Sequence, residues 1–130
     1  MVDKEYVAYE GSLYTIEWFF DDKGESQPLQ YADSMDARDK AKLMTLLKMM
    51  AEQGRIRNQE KFRNEHDQIY AFKPKPHRFL CFFMKGKKII ITNAFQKKQD
   101  KLPLTEKQKA LENKESYERR LKQGTYYEEI

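Results

Sequence analysis

Residues 69–96 decide the fold, and they read IYAFKPKPHRFLCFFMKGKKIIITNAFQ. Three short apolar runs, at 69–73, 77–84 and 89–95, are separated by Pro-Lys-Pro and by Lys-Gly-Lys-Lys. Short runs of aromatic and β-branched residues between such breaks are typical of strands, and short turns join antiparallel neighbours. The stretch therefore predicts an antiparallel meander, with the second run, apolar on both faces, as its central strand.

Upstream of the meander, the sequence predicts one strand followed by two helices. Residues 13–20, LYTIEWFF, alternate in a way that indicates a strand, and Pro28 is well placed to open a short helix. Asp36 is a predicted N-cap for a second helix over residues 37–53, and Gly54 follows where helices commonly end in the left-handed conformation. The residue types at both ends of this second helix therefore support it.

Downstream, residues 105–108 (Thr-Glu-Lys-Gln) have the form of a capping box, which predicts a terminal helix to about Lys122. Its apolar stripe is thin, so we expect it on the surface or over a partner groove, with disorder from about residue 123. The order strand, helix, helix, three strands, helix predicts a single α+β domain over residues 1–130. We expect a small antiparallel sheet with the two N-terminal helices packed on one face, the other face being left for a ligand.

Length and composition exclude several classes of protein. A chain of 130 residues fits one core, and 8 Phe, 8 Tyr and 1 Trp argue against disorder although 35% of the residues are charged. The longest apolar run, residues 79–84, is far shorter than the roughly 20 residues of a membrane-spanning helix. The one cysteine, Cys81, lies inside this run and is interpreted as a small buried hydrophobe rather than a reactive thiol. The expectation is a cytoplasmic protein that does not enter the membrane.

Charge is distributed unevenly along the chain. Residues 1–54 contain 6 Lys or Arg against 11 Asp or Glu, residues 55–98 contain 12 against 3, and residues 99–130 contain 7 of each. A local excess of this size in the middle third is typical of proteins that bind nucleic acid or another polyanion. A solvated basic face without a ligand explains the charge alone equally well.

The residues that could carry chemistry are mostly cations. No glycine loop matches a nucleotide-binding pattern, and His66 and His77 are the only histidines, so neither a cofactor nor a metal is expected. The candidates for RNA binding are Lys61, Arg63, Lys73, Lys75, Lys98 and Phe95, and the candidates for catalysis are Arg78, His77 and Lys97. Cations neutralise phosphates, aromatic rings stack on unpaired bases, and a histidine can move a proton on a ribose hydroxyl. Because neighbouring residues of a strand point to opposite faces, His77 and Arg78 conflict as members of one site.

Four segments together carry a family resemblance: residues 69–73, residues 77–80 (His-Arg-Phe-Leu), residues 93–98 (Asn-Ala-Phe-Gln-Lys-Lys) and residues 101–103 (Lys-Leu-Pro) before a helix. This order resembles the phage-derived HigB-like branch of the RelE/ParE toxin superfamily. Members of that branch read Tyr-Glu-Leu-Arg, then Tyr-Arg with an apolar strand, then Gly-Phe-Gln-Lys-Lys. The similarity extends from about Leu13 to Leu121.

The resemblance implies a RelE/ParE-like toxin of a type II toxin–antitoxin pair that cleaves mRNA on the ribosome without a metal. Its expected partners are a helix-turn-helix antitoxin, the ribosome and mRNA. Arg78, Lys97 and Lys98 correspond to the family pattern, whereas Ala71 and Lys73 stand where the family has Glu and Arg. Two alternatives therefore stay open: a non-catalytic phage or prophage binding module of the same fold, and a ParE-like gyrase poison.

Overall fold

The fold is described by a computed structural model, which covers residues 5–127. Its helices are α1 (Gln27–Ser34), α2 (Ala37–Gln53) and α3 (Leu104–Lys122). Its strands are β1 (Val7–Glu10), β2 (Thr15–Trp18), β3 (Phe62–Asn64), β4 (Tyr70–Phe72), β5 (His77–Met84) and β6 (Lys88–Gln96). The predicted α+β fold is confirmed.

The strands form one sheet in the order β1-β2-β6-β5-β4-β3. The predicted meander is present, since β4, β5 and β6 pair antiparallel and β5 lies inside the sheet. One pair departs from the predicted antiparallel sheet: β2 runs parallel to β6, with Ile16 opposite Ile89. The reason is topological, because the chain leaves β2 through two helices and comes back beside it only after three reversals, which join β3, β4, β5 and β6. β1 and β3 have 4 and 3 residues, too few to give a clear alternating pattern.

Helices α1 and α2 cover one face of the sheet, as predicted, and form the first core. Asp36 caps α2, its carboxylate accepting a hydrogen bond of 2.8 Å from the backbone N–H of Asp39. Gly54 ends α2 with φ +75°. Leu43 and Leu47 are fully buried against the sheet, so the apolar arc of α2 faces inward as the sequence indicates.

The opposite face is covered as well, which corrects the prediction that it is left for a ligand. Helix α3 and the segment after it form a second core on that face, with Ala110, Tyr117 and Tyr126 buried. The Tyr126 hydroxyl accepts a hydrogen bond of 3.0 Å from the backbone N–H of Phe20. The expectation of disorder from about residue 123 is therefore wrong for residues 123–127, and residues 128–130 of that tail lie outside the described residues.

The start of α3 also differs from the predicted capping box. The N-cap position is Pro103, with φ −61° and no side-chain cap, so Thr105 lies inside the first turn. The proline ring fixes the extended entry into the helix, and the backbone N–H groups of Glu106 and Lys107 both donate to the Pro103 carbonyl over 3.1 Å.

Cys81 lies in the middle of β5 and is fully buried in the first core. Burial raises the pKa of its thiol well above the ordinary value, so the thiolate is strongly disfavoured. The interpretation of Cys81 as a core residue is confirmed. No helix within residues 5–127 is long and apolar enough to cross a membrane.

Candidate functional site

Most of the predicted site residues meet in one small pocket, which we call the Arg78 pocket. It lies where β5 begins and β6 ends, beside the loop that leads into α3. The predicted residues that line it are Arg63, Lys73, Arg78, Phe95, Lys97 and Lys98. Glu65 and residues 99–103 complete the lining. The structure therefore brings cations from distant parts of the basic middle third together in one pocket.

Strand register explains why residues distant in sequence share this pocket. Arg63 of β3 lies opposite Ala71 of β4, and Ala71 lies opposite Leu80 of β5. Lys73 follows Ala71 by two residues and Arg78 precedes Leu80 by two. Because alternate residues point to the same face, Arg63, Lys73 and Arg78 project from one side of the sheet.

The guanidinium of Arg78 is the most buried cation of the pocket, with 6% of the residue exposed. Its Nη1 donates to the carbonyl of His77 over 2.9 Å, and no carboxylate within residues 5–127 pairs with it at salt-bridge distance. Desolvation lowers the pKa of Arg78, while the carboxylates of Glu65 and Asp100 act in the opposite direction. The guanidinium remains charged, because its ordinary pKa lies far above neutrality. The pocket thus contains a desolvated cation that no carboxylate neutralises by direct contact.

Lys73 lies beside Arg78 and feels the crowding of positive charge. Its Nζ donates to the backbone carbonyl of Gln59 over 3.0 Å. Desolvation lowers the pKa of Lys73, and the positive charges of Arg78, Arg63 and Lys97 lower it further. A lysine in this setting gives up its proton more readily than an ordinary surface lysine.

Two carboxylates belong to the pocket, and the sequence analysis singled out neither. Asp100 pairs with Lys97 over 3.0 Å, and this contact lowers the pKa of the Asp100 carboxyl. Glu65 lines the pocket and makes no salt bridge with any residue of the described chain. The sequence signal for Glu65 is its place two residues after Arg63. The position of Glu65 in the fold could not be predicted because of the turn that follows it. In this turn His66, Asp67 and Gln68 have φ values of +72°, +56° and +68°.

His77 is separated from the pocket, as the alternation of strand residues indicates. Its ring lies on the face covered by α1 and α2, where Nδ1 is 2.7 Å from the Tyr31 hydroxyl and Nε2 is 2.8 Å from Asp39 Oδ2. The Nε2 atom donates to the Asp39 carboxylate, and Nδ1 shares a hydrogen bond with the Tyr31 hydroxyl. With both ring nitrogens engaged and 13% of the side chain exposed, His77 links the sheet to both helices.

Lys61 and Lys75 line a neighbouring depression of about 350 Å³ between α2 and the β4–β5 turn. Lys73 lines both this depression and the Arg78 pocket, so the two are adjacent. Lys75 is paired with Glu60 at 3.7 Å. These two lysines thus extend the basic surface but do not face Arg78 directly.

The site chemistry is that of an anion-binding pocket with acid and base groups at its edge. Within residues 5–127, no group of three or more His, Cys, Asp or Glu side chains is arranged to hold a metal ion. The pocket combines fixed cations, an aromatic ring at Phe95, a carboxylate and a lysine of lowered pKa. Such a set can bind a phosphodiester and move protons at its oxygens.

Comparison with known proteins gives one family. The model of the family described as phage-derived protein Gp49-like (DUF891) matches residues 30–115. This span begins inside α1, ends inside α3 and contains every residue that lines the Arg78 pocket. The curated proteins contain no match to the chain.

Proposed function

Because the chain belongs to the phage-derived Gp49-like family, which is related to toxins of toxin–antitoxin systems, we propose that it is a type II toxin that cleaves mRNA on the ribosome. The observation that carries the proposal is the Arg78 pocket, where a buried guanidinium without a paired carboxylate lies among Lys73, Lys97 and Lys98. The site of action is the cytoplasm, where translated mRNA is found. A helix-turn-helix antitoxin of the HigB-like type is the proposed inhibitor.

The proposed reaction is transesterification within the RNA strand. The ribose 2′-oxygen forms a bond to the adjacent phosphorus, the bond to the 5′-oxygen breaks, and a 2′,3′-cyclic phosphate and a 5′-hydroxyl result. Charge on the pentavalent phosphate is stabilised by Arg78 and Lys97, so the scheme needs no metal. The 2′-hydroxyl proton passes to Glu65, and Lys73 donates a proton to the leaving oxygen. The lowered pKa of Lys73 supports this last role.

Expression in a bacterium tests the proposal. We expect induction of the wild-type protein to arrest growth and to produce cleavage sites inside translated messages, mapped by primer extension. Arg78→Ala should lower cleavage by about 10²–10³-fold, the usual effect of removing one donor that stabilises transition-state charge. Arg119→Ala is the matched control, because Arg119 is a half-exposed arginine of α3 that pairs with Glu115. Growth without arrest by a soluble and folded wild-type protein would contradict the nuclease.

One observation favours a non-catalytic binding module instead. Ala71 stands where the resembling family has a glutamate, and it is fully buried in the second core. No carboxylate can therefore act from that strand position, and a base must come from elsewhere in the pocket. A folded protein that binds RNA but leaves translated messages intact would favour the module. DNA damage signalling with intact mRNA would favour the gyrase poison.

A further inference from the structure

A groove larger than the Arg78 pocket lies at the opposite end of β5. It has a volume of about 810 Å³, and Arg55, Arg57 and Lys87 line it together with Tyr14. We call it the Arg57 groove. Since Arg78 and Met84, the last residue of β5, are six residues apart at about 3.3 Å each, roughly 20 Å separates this groove from Arg78.

A third depression connects the two sites around the edge of the sheet. This edge pocket of about 460 Å³ is lined by Arg57, Phe62, Arg63, His66 and Tyr70. Arg57 also lines the Arg57 groove, and Arg63 also lines the Arg78 pocket. The shared lining residues therefore make the three depressions neighbours along β3, one of the two edge strands.

The charge of this path is unbalanced. No acidic residue of the described chain lines the Arg57 groove or the edge pocket. Arg55, Arg57, Arg63 and Lys87 make no side-chain hydrogen bond or salt bridge within residues 5–127, whereas several cations elsewhere in that range pair with a carboxylate. Unpaired arginines are suited to phosphate, because the planar guanidinium can donate two parallel hydrogen bonds.

Aromatic rings occur along the same path. Phe62 and Tyr70 lie stacked in the edge pocket, with ring centroids 5.6 Å apart and an interplanar angle of 6°. Both residues are only partly buried, although both also pack against the first core. Cations beside partly exposed rings are the pattern by which proteins bind single-stranded nucleic acid without reading its sequence.

Backbone hydrogen bonds hold one wall of the Arg57 groove. The backbone N–H groups of Leu13 and Tyr14 both donate to the carbonyl of Ala51, over 2.8 and 2.9 Å. These bonds fix the β1–β2 loop on the last turn of α2, and Gly54 closes that turn in the left-handed conformation. The wall that carries Tyr14 is therefore formed before any ligand binds.

We propose that single-stranded RNA leaves the Arg78 pocket, crosses the β3 edge over Phe62 and Tyr70, and is held by its phosphates in the Arg57 groove. The inference deepens the proposed function, on which it rests, by assigning the path of the substrate strand outside the scissile bond. A duplex fits less well, because the path bends around a sheet edge and offers rings that only unstacked bases can reach. An acidic peptide would pair with the cations but would not use the two stacked rings of Phe62 and Tyr70.

Oligonucleotide length provides the test. The probes are fluorescein-labelled 2′-O-methyl uridine oligomers of about 4 and about 12 nucleotides, a range that matches known single-strand sites. Affinities for the full chain are measured by fluorescence anisotropy at several salt concentrations. The triple variant Arg55→Gln, Arg57→Gln, Lys87→Gln should weaken binding of the long oligomer about 10-fold or more and leave the short one unchanged. Its salt slope should fall by about 0.7 for each phosphate that the variant no longer neutralises.

Lys48→Gln is the control, since Lys48 is an exposed lysine of α2 that lines none of the three depressions. Equal effects of the triple variant on both oligomers, or none on the long one, would overturn the path. Tighter binding of a duplex or of a polyglutamate peptide than of the long oligomer would overturn it as well. Length-dependent binding without cleavage of translated mRNA would keep the path and reject the nuclease. Cleavage without length-dependent binding would do the reverse.

Discussion

The position of Arg78 is unfavourable for folding and favourable for binding an anion. It is nearly buried, yet its side chain makes only one hydrogen bond within the described chain, to the neighbouring carbonyl of His77. A buried cation without a carboxylate partner costs folding free energy, which is tolerated where the cation awaits an anionic ligand. The surrounding lysines increase this cost and increase the attraction for phosphate at the same time.

Lys73 gives a prediction about pH. Its pKa lies below the ordinary lysine value of 10.5, so its positive charge is lost at lower pH than that of an unperturbed lysine. Affinity for a short single-stranded RNA should therefore fall as pH rises through the alkaline range below 10.5. Lys73→Arg should retain affinity over this range, because a guanidinium does not titrate there. Identical pH profiles for the two proteins, measured by anisotropy, would contradict the role of Lys73.

His77 gives a prediction about stability. Tyr31→Phe removes the hydroxyl that bonds to His77 Nδ1 at 2.7 Å and leaves the ring in place. We expect a loss of about 1 kcal/mol in the free energy of unfolding, the usual contribution of one partly buried hydrogen bond. Urea denaturation measures it, and Tyr14→Phe is the control, since the described contact of that ring is with Phe83. An unchanged midpoint would show that the ring is not held by Tyr31.

The site was predictable from sequence where strand alternation governs it. The separation of His77 from Arg78 follows from a period of two residues, whereas the grouping of Arg63 with Lys73 and Arg78 also depends on β3 and its register, which no sequence pattern indicated. Glu65 could not be found in this way, because three successive left-handed residues place it and no local pattern predicts them. Arg57 was not predicted as a site residue for a related reason, since its neighbours across the groove come from distant parts of the chain.

At the scale of elements, the residues that begin and end a helix are more informative than its apolar stripe. Asp36 and Gly54 define α2 to the residue, whereas the thin apolar stripe of α3 did not indicate that this predicted helix buries Tyr117. The stripe misleads because the apolar partners of α3 come from the sheet and from Tyr126 after the helix. The parallel pairing of β2 with β6 is likewise a property of the whole path of the chain.

Gly11 gives a prediction at this scale. A Cβ atom at residue 11 would lie 2.5 Å from the Ala51 Cβ and 2.6 Å from the Ala51 carbonyl oxygen, too close for either to remain in place. Gly11→Ala should therefore push the β1–β2 loop off the end of α2 and destabilise the protein by about 1–3 kcal/mol. Ser12→Ala should have little effect, because its hydroxyl makes only a long contact of 3.5 Å. Equal urea midpoints for the two variants would contradict the close approach.

At the scale of the whole molecule, two cores share one sheet. Phe79, Cys81 and Ile91 face the first core, while Leu80 and Ile90, on the same two strands, face the second. If the sheet separates from one core, the sheet residues of the other core lose their support as well. The sheet therefore couples the acidic N-terminal third, which supplies both first-core helices, to α3.

Cooperative unfolding is the resulting prediction. Trp18 lies in the first core and is the only tryptophan, whereas much of the helical signal comes from α3 on the second core. Trp18 fluorescence and far-ultraviolet circular dichroism should give the same urea midpoint. A loss of helical signal that precedes the fluorescence change would mean that α3 detaches separately.

The buried position of Cys81 allows its thiol to report how often the sheet opens. Because the thiol is the only one in the chain and lies fully buried in β5, a disulfide reagent can reach it only when the sheet opens. The rate at which the thiol is modified in native buffer therefore measures how often the sheet opens. RNA bound across the β3 edge should lower this rate. The same burial leaves the surface without a reactive thiol, so a cysteine introduced at a chosen position would accept a label there alone.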